Sequence, residues 1–204
     1  MGKVYFVRHG QTYWNVENKI CGATDIALTP LGHEQAIETG KAILDAGIDF
    51  DEILSSPLIR ASETARHISE ITGKPMRIDE RLTEQNFGKY ESTARDGAEF
   101  ALAKEHFADR YEGGESMLHL AQRIYNLLDE LKADPEGKTY LLVAHNGIAR
   151  VKRDKTSLDI FWIKDKSLAD LDNLPDPDVL ASDIIDNLQS ALDSFNELKA
   201  QLEK

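Results

Sequence analysis

Apolar residues in the first three quarters of the chain fall into two kinds of pattern. Short dense runs occur at Val4-Tyr5-Phe6-Val7, within Phe50 to Ser55, at Met76-Arg77-Ile78 and over Thr139 to Ala144. They are rich in β-branched and aromatic residues and too short for helices, so they predict strands. Between them lie longer stretches with helical spacing. Thr29-Pro30 is a start signal, with threonine as N-cap and proline in the first turn. It opens a helix carrying Ala36, Ile37, Ala42, Ile43 and Leu44 and ending near Gly47. A second helix is expected from about Ile59 to Thr72, closed by Gly73. Phe100 to Phe107 reads as helical, and Ser116 to Lys132 carries Met117, Leu120, Ile124, Leu127, Leu128 and Leu131 on one stripe. Tyr13 to Asp25 is polar and read as irregular, and Glu80 to Tyr90 as a loop. Strand and helix in alternation predict an α/β fold, a mainly parallel sheet sandwiched by helices.

Two of the strands end in chemistry. The first runs into Arg8-His9-Gly10, the last into His145-Asn146-Gly147. Open α/β sheets bind ligands at the C-terminal ends of their strands, and a glycine there lets a ligand oxygen approach the backbone. Two such endings would set two imidazoles side by side. Arg60, at the start of its helix, would add a planar fork suited to phosphate oxygens beside a helix N-terminus that favours anions.

Composition narrows the field. The chain has 204 residues, a formal net charge of -12 and a single cysteine. A strongly acidic chain is a poor binder of nucleic acid or anionic membrane, so a phosphate ester needs a local positive pocket. One cysteine excludes an internal disulfide and fits a reducing compartment. Cys21 has no base nearby in sequence and reads as a small loop residue, and His33 as a surface or structural histidine. No basic-then-apolar leader and no run near the roughly 20 apolar residues of a membrane span is present, so the expected location is cytoplasmic.

The triplet Arg8-His9-Gly10, then Ser55-Ser56-Pro57 with Arg60 and Thr64-Ala65, then Glu84 within Leu82 to Gly88, then His145-Asn146-Gly147 stand in the order seen in the histidine phosphatase superfamily. Over Met1 to about Arg150 the chain resembles that superfamily, which includes the cofactor-dependent phosphoglycerate mutases. The resemblance implies a phosphoglycerate mutase-like fold and a phosphohistidine mechanism, with His9 attacking phosphorus. Arg8, Arg60 and His145 would surround the phosphoryl group, and Glu84 would be the acid and base, with Glu80 and Glu91 as nearby competitors. Gln11, Asn15 and Gly22 match positions that contact phosphate or substrate in relatives. Neither cofactor nor metal is implied, since Arg8 and Arg60 would repel a cation beside His9, His145 and Glu84.

The expected activity is metal-independent hydrolysis of a small phosphorylated substrate. Glu91 to Glu112 is short, and its basic residues Arg95, Lys104 and Arg110 are scattered, without the lysine and paired-arginine lid with which resembling mutases hold a bisphosphate. Mutase-type phosphoryl transfer is the alternative. After Val151 the text changes, which suggests a domain over residues 1–151 and an atypical extension over 152–204. That extension resembles the C-terminal segment of type I restriction-modification DNA methyltransferase subunits. It ends in a long amphipathic helix from Asp178 to Glu203, striped by Leu180, Ile184, Leu188, Leu192, Phe195, Leu198 and Leu202. Such a stripe needs a cover: the domain itself, a partner chain, or a second copy. A third reading is therefore a catalytically impaired chimera that serves as an interaction scaffold.

Overall fold

The computed structural model describes residues 3–106 and 108–151. They all belong to one compact unit, Met1–Ile163; a second, Lys164–Lys204, lies outside the described residues, and with it the expected amphipathic helix and the tail resemblance. Four strands, β1 (Val4–Arg8), β2 (Glu52–Ser55), β3 (Met76–Ile78) and β4 (Tyr140–Ala144), form one sheet in the order β1-β4-β2-β3. Every pairing is parallel. Six α-helices connect or follow them: α1 (Tyr13–Val16), α2 (Pro30–Asp45), α3 (Ile59–Thr72), α4 (Ala98–Glu105), α5 (Met117–Lys132) and α6 (Asn146–Val151).

Central strand β4 is buried along its whole length. Its alternate residues serve two cores, as the period of a strand requires. Leu142 and Ala144 join Val4, Phe6 and Leu54 under Leu120, Ile124, Leu127 and Leu131 of α5. Leu141 and Val143 join Ile53 on the opposite face, under Ile43 of α2 and Ala61, Ala65 and Ile68 of α3. Each fully buried aliphatic side chain contributes about 1.5–3 kcal/mol, so these two layers hold the sheet and its strand ends in place. Ile20, Tyr90 and Phe100 make a smaller third cluster, with Phe87 and Tyr111 packed on it.

Local signals explain most helix ends. Thr29 Oγ1 accepts from Gly32 N at 3.0 Å, and α3 stops at Gly73 with φ of 69°, a left-handed turn that glycine takes without strain. The stretch from Tyr13 is not wholly irregular. Thr12 and Asn15 form a reciprocal capping box that starts α1, because each side chain satisfies an amide the short helix leaves unpaired. The segment after β3 is likewise not all loop: it holds one-turn 3-10 helices at Glu80–Leu82 and Gly88–Tyr90, with Glu84 between them. No described helix is long and apolar enough to cross a membrane.

Candidate active site

Strand order builds the site. Because β1 and β4 are neighbours in register, with Arg8 opposite Ala144, the next residue of each chain end is a histidine of one shared edge. His9 N donates to Ala144 O at 3.1 Å, and the His9 and His145 ring centroids lie 5.1 Å apart with planes tilted by 56°. On the other side of β4, Ser56 N donates to Val143 O at 3.1 Å. That places the Ser56 hydroxyl 2.8 Å from His145 Nε2.

His9 Nδ1 stands 2.7 Å from Gly10 O. A carbonyl only accepts, so Nδ1 carries the hydrogen and Nε2 keeps its lone pair. Gly10 is itself pinned, its N donating to Thr64 Oγ1 at 3.1 Å while Thr64 Oγ1 donates to Arg60 O at 2.7 Å. A side chain at Gly10 would run into Gly32 O, and one at Gly32 into Gln11 O. The start of α2 is thus pressed directly onto the backbone after His9, an approach only glycine permits.

Arg60 is fully buried. Its guanidinium donates to Thr24 O at 2.9 Å and Gly22 O at 2.6 Å, and among the described residues no carboxylate pairs with it. Arg60 Nε and His145 Nδ1 are buried polar atoms with no hydrogen-bond partner among the described residues. A buried cation held by neutral carbonyls keeps its charge available for an anion, which leaving it unpaired otherwise would not justify. The first amide of α3 is not available in the same way: Ile59 N donates to Asp25 Oδ1 at 2.7 Å.

Glu84 is 6% exposed. Its Oε1 accepts from Gln85 N at 2.9 Å and its Oε2 from Gly147 N at 3.1 Å, which fixes it two residues beyond His145. Burial raises its pKa above the ordinary carboxyl range, against the opposing pull of those two amides and of Arg60 and Arg8. Burial also holds His9 well below the usual imidazole range, helped by the charges of Arg8 and Arg60. His145 is shifted the same way by burial and then by His9, Arg60 and Arg8. Both shifts favour the neutral imidazole near pH 7; the tautomer of His145 is a separate matter, since the Ser56 hydroxyl can donate to its Nε2 or accept from it.

The remaining candidates divide. Gly22 lies against the Arg60 fork through its carbonyl. Gln11 is turned to α2, its N donating to Gln35 Oε1 at 2.8 Å and its Oε1 accepting from Thr29 Oγ1 at 3.0 Å. Asn15 Oδ1 accepts from Thr12 N and Oγ1, each at 2.9 Å, so that oxygen is engaged in the α1 cap. The Cys21 thiol is pushed up by burial, which keeps it protonated and a poor nucleophile.

Three residues take supporting roles that the sequence reading did not assign. Glu91 accepts from Gly22 N, Ala23 N and Phe87 N, each at 3.0 Å, and so ties the Gly22 loop to the Glu84 segment. Ser56 orients His145. Arg123 of α5 donates to Glu84 O at 3.2 Å and pairs with Glu115 at 2.8 Å. The signal for Glu91 was its closeness to Glu84; nothing in sequence separates an acid that binds amides from one that moves protons.

A methyl group at Gly147 would collide with Glu84 Oε1. Gly147→Ala is expected to displace the carboxyl, lowering kcat by about 10²-fold and stability by about 1–3 kcal/mol through overpacking. Steady-state kinetics beside a thermal melt measures both.

Comparison with known proteins agrees with this geometry. Residues 4–155 match the model of the histidine phosphatase superfamily (branch 1). A protein of Erwinia tasmaniensis named probable phosphoglycerate mutase GpmB is 37% identical over 152 residues, 71% of this chain and 70% of its own. Among solved structures, mycobacterial hydrolase 1 aligns with TM-score 0.63 at 32% identity, over 72% of this chain and 76% of that one. Mycobacterial glucosyl-3-phosphoglycerate phosphatase aligns with TM-score 0.61 at 32% identity, over 72% and 74%. With its motifs gathered at one sheet edge and a family match over three quarters of its length, the chain belongs to the histidine phosphatase superfamily.

Proposed function

We propose that the chain is a phosphomonoesterase that transfers the phosphoryl group of a small ester to His9 and then to water. The observation that carries this reading is the pairing of two neutral imidazoles, 5.1 Å apart, with a buried guanidinium that no carboxylate among the described residues neutralises.

In the first step the His9 Nε2 lone pair attacks phosphorus and the bond to the ester oxygen breaks. Protonated Glu84 supplies the hydrogen that turns the leaving oxygen into an alcohol. Arg8, Arg60 and the Nδ1 hydrogen of His145 face the charge on the equatorial oxygens, with Ser56 donating to His145 Nε2. In the second step Glu84, now a carboxylate, takes a proton from water as that water attacks phosphorus. The phosphorus–nitrogen bond breaks, inorganic phosphate leaves, and His9 and Glu84 return to their starting states. No metal enters either step.

Mutase-type transfer is the second reading, favoured by the name of the Erwinia relative. Against it, three basic residues of the segment beyond Glu84 each hold a protein partner, while the Arg95 charge also reaches His9. Lys89 pairs with Glu99 at 2.9 Å, Arg95 donates to Lys19 O at 3.3 Å, and Lys104 lies over the Phe100 ring at 4.8 Å. The test compares phosphate release with conversion of 3- to 2-phosphoglycerate in the presence of bisphosphoglycerate primer. Release is expected to be the faster, and faster interconversion refutes the phosphatase reading. Phosphatase activity should fall on the alkaline side through the raised pKa of Glu84, above the ordinary carboxyl range, as the acid is lost. It should fall on the acid side only below the usual imidazole value of about 6.5, because the shift of His9 keeps its lone pair free down to lower pH.

A further inference from the structure

Away from the phosphate pocket, one group of metal-ligating side chains spans the seam between α2 and α3. His33 comes from the first turns of α2; Glu63 and His67 come from α3, four residues apart and so on one face. His33 Nδ1 and His67 Nε2 are 3.0 Å apart, with rings edge to face at 5.2 Å between centroids. One donor atom from each of the three half-buried residues lies within 4.8 Å of the others. We propose that His33, Glu63 and His67 bind a zinc-class divalent transition metal ion that clamps α2 to α3.

Two imidazoles and a carboxylate select such an ion over magnesium or calcium, which take oxygen donors. Tetrahedral ligands at about 2.0–2.2 Å from zinc stand about 3.4 Å from one another, so on binding the two imidazoles, now 3.0 Å apart, open slightly and the widest separation, up to 4.8 Å, closes by a side-chain adjustment. Between neutral rings at this distance, one nitrogen must hold a hydrogen toward the other. On binding, that ring moves its hydrogen to its outer nitrogen and the ion takes the vacated place. Glu70 Oε2 lies 3.9 Å from His67 Nδ1, beyond hydrogen-bond distance, and adds a negative charge on the outer side of that ring. The one adverse charge, Arg66, is offset by two carboxylates, donating to Glu63 Oε2 and to Glu70 Oε1. A carboxylate has two oxygens, so Glu63 can hold Arg66 with one and the ion with the other.

The placement gives the ion a structural consequence. Gly32, beside His33, abuts the backbone at Gly10 and Gln11, and Thr64, beside Glu63, accepts from Gly10 N. A clamp here ties together both elements that hold the residue after His9.

The test titrates the purified, chelator-treated full chain with cobalt(II), following the visible absorption of tetrahedral cobalt, then displaces it with zinc. One equivalent should bind, and zinc should remove the band. His33→Gln and His67→Gln should each weaken binding by about tenfold or more, while His9→Ala and His119→Gln leave the band in place. Zinc should raise the melting temperature of the wild type and not of the two variants. The proposal is overturned if no cobalt binds, if the band survives both substitutions, or if it is lost in His9→Ala, which would put the ion in the phosphate pocket. Should a histidine variant not fold by circular dichroism, Glu63→Gln at the more exposed position decides: an unchanged spectrum and affinity overturn the site.

Discussion

His9→Ala is expected to abolish turnover of p-nitrophenyl phosphate in the presence of EDTA, by about 10⁴-fold or more in kcat. The first step then has no acceptor for the phosphoryl group. His145 does not substitute: in this mechanism its Nδ1 carries a hydrogen toward the phosphoryl oxygens, and its Nε2 is held by the Ser56 hydroxyl. The fold should survive, because the lost ring is half-buried and leaves only the Gly10 carbonyl without its 2.7 Å contact, a change of about 1 kcal/mol. Circular dichroism beside the assay separates this outcome from unfolding. Residual activity within tenfold of wild type would remove His9 from the chemistry.

Glu84→Gln should divide substrates by their leaving groups. An alkyl phosphate needs its oxygen protonated as it departs, so kcat should fall by about 10²–10⁴-fold. Nitrophenolate leaves without that help, so the first step on p-nitrophenyl phosphate should be slowed far less. Its second step still lacks the base that activates water. The variant is therefore expected to give a burst of nitrophenol, close to one equivalent per chain, followed by slow release. Glutamine offers one oxygen where Gln85 N and Gly147 N now reach two, so a stability loss of about 1–3 kcal/mol should accompany the change. Equal slowing of both substrates with no burst would mean that Glu84 is only a structural carboxyl.

How far the chain could be read in advance follows from the physics of each element. The bounds of helix α3 were legible because Pro57 and Gly73 bracket it. The strand endings were readable because polar residues interrupt apolar runs abruptly, and neighbouring parallel strands then had to bring His9 and His145 together. Helix α1 escaped because four residues are too few to show a period, although the Thr12 and Asn15 spacing was visible. The roles of Ser56, Glu91 and Arg123 depend on contacts across 89, 69 and 39 residues, which no local pattern encodes. Asn15 was carried over by position from relatives, and here its oxygen caps a helix. His33 was read as surface or structural because its partner His67 stands 34 residues away on another helix.

The phosphohistidine itself is the most direct test. Enzyme turning over p-nitrophenyl phosphate in EDTA is quenched within milliseconds in alkali, where a phosphorus–nitrogen bond to imidazole survives, and the modified peptide is located by mass spectrometry. The mechanism predicts one phosphoryl group, on His9, that disappears once substrate is exhausted. A phosphoryl group on His145 or Cys21, or steady turnover with no phosphorylated enzyme at any quench time, would contradict it.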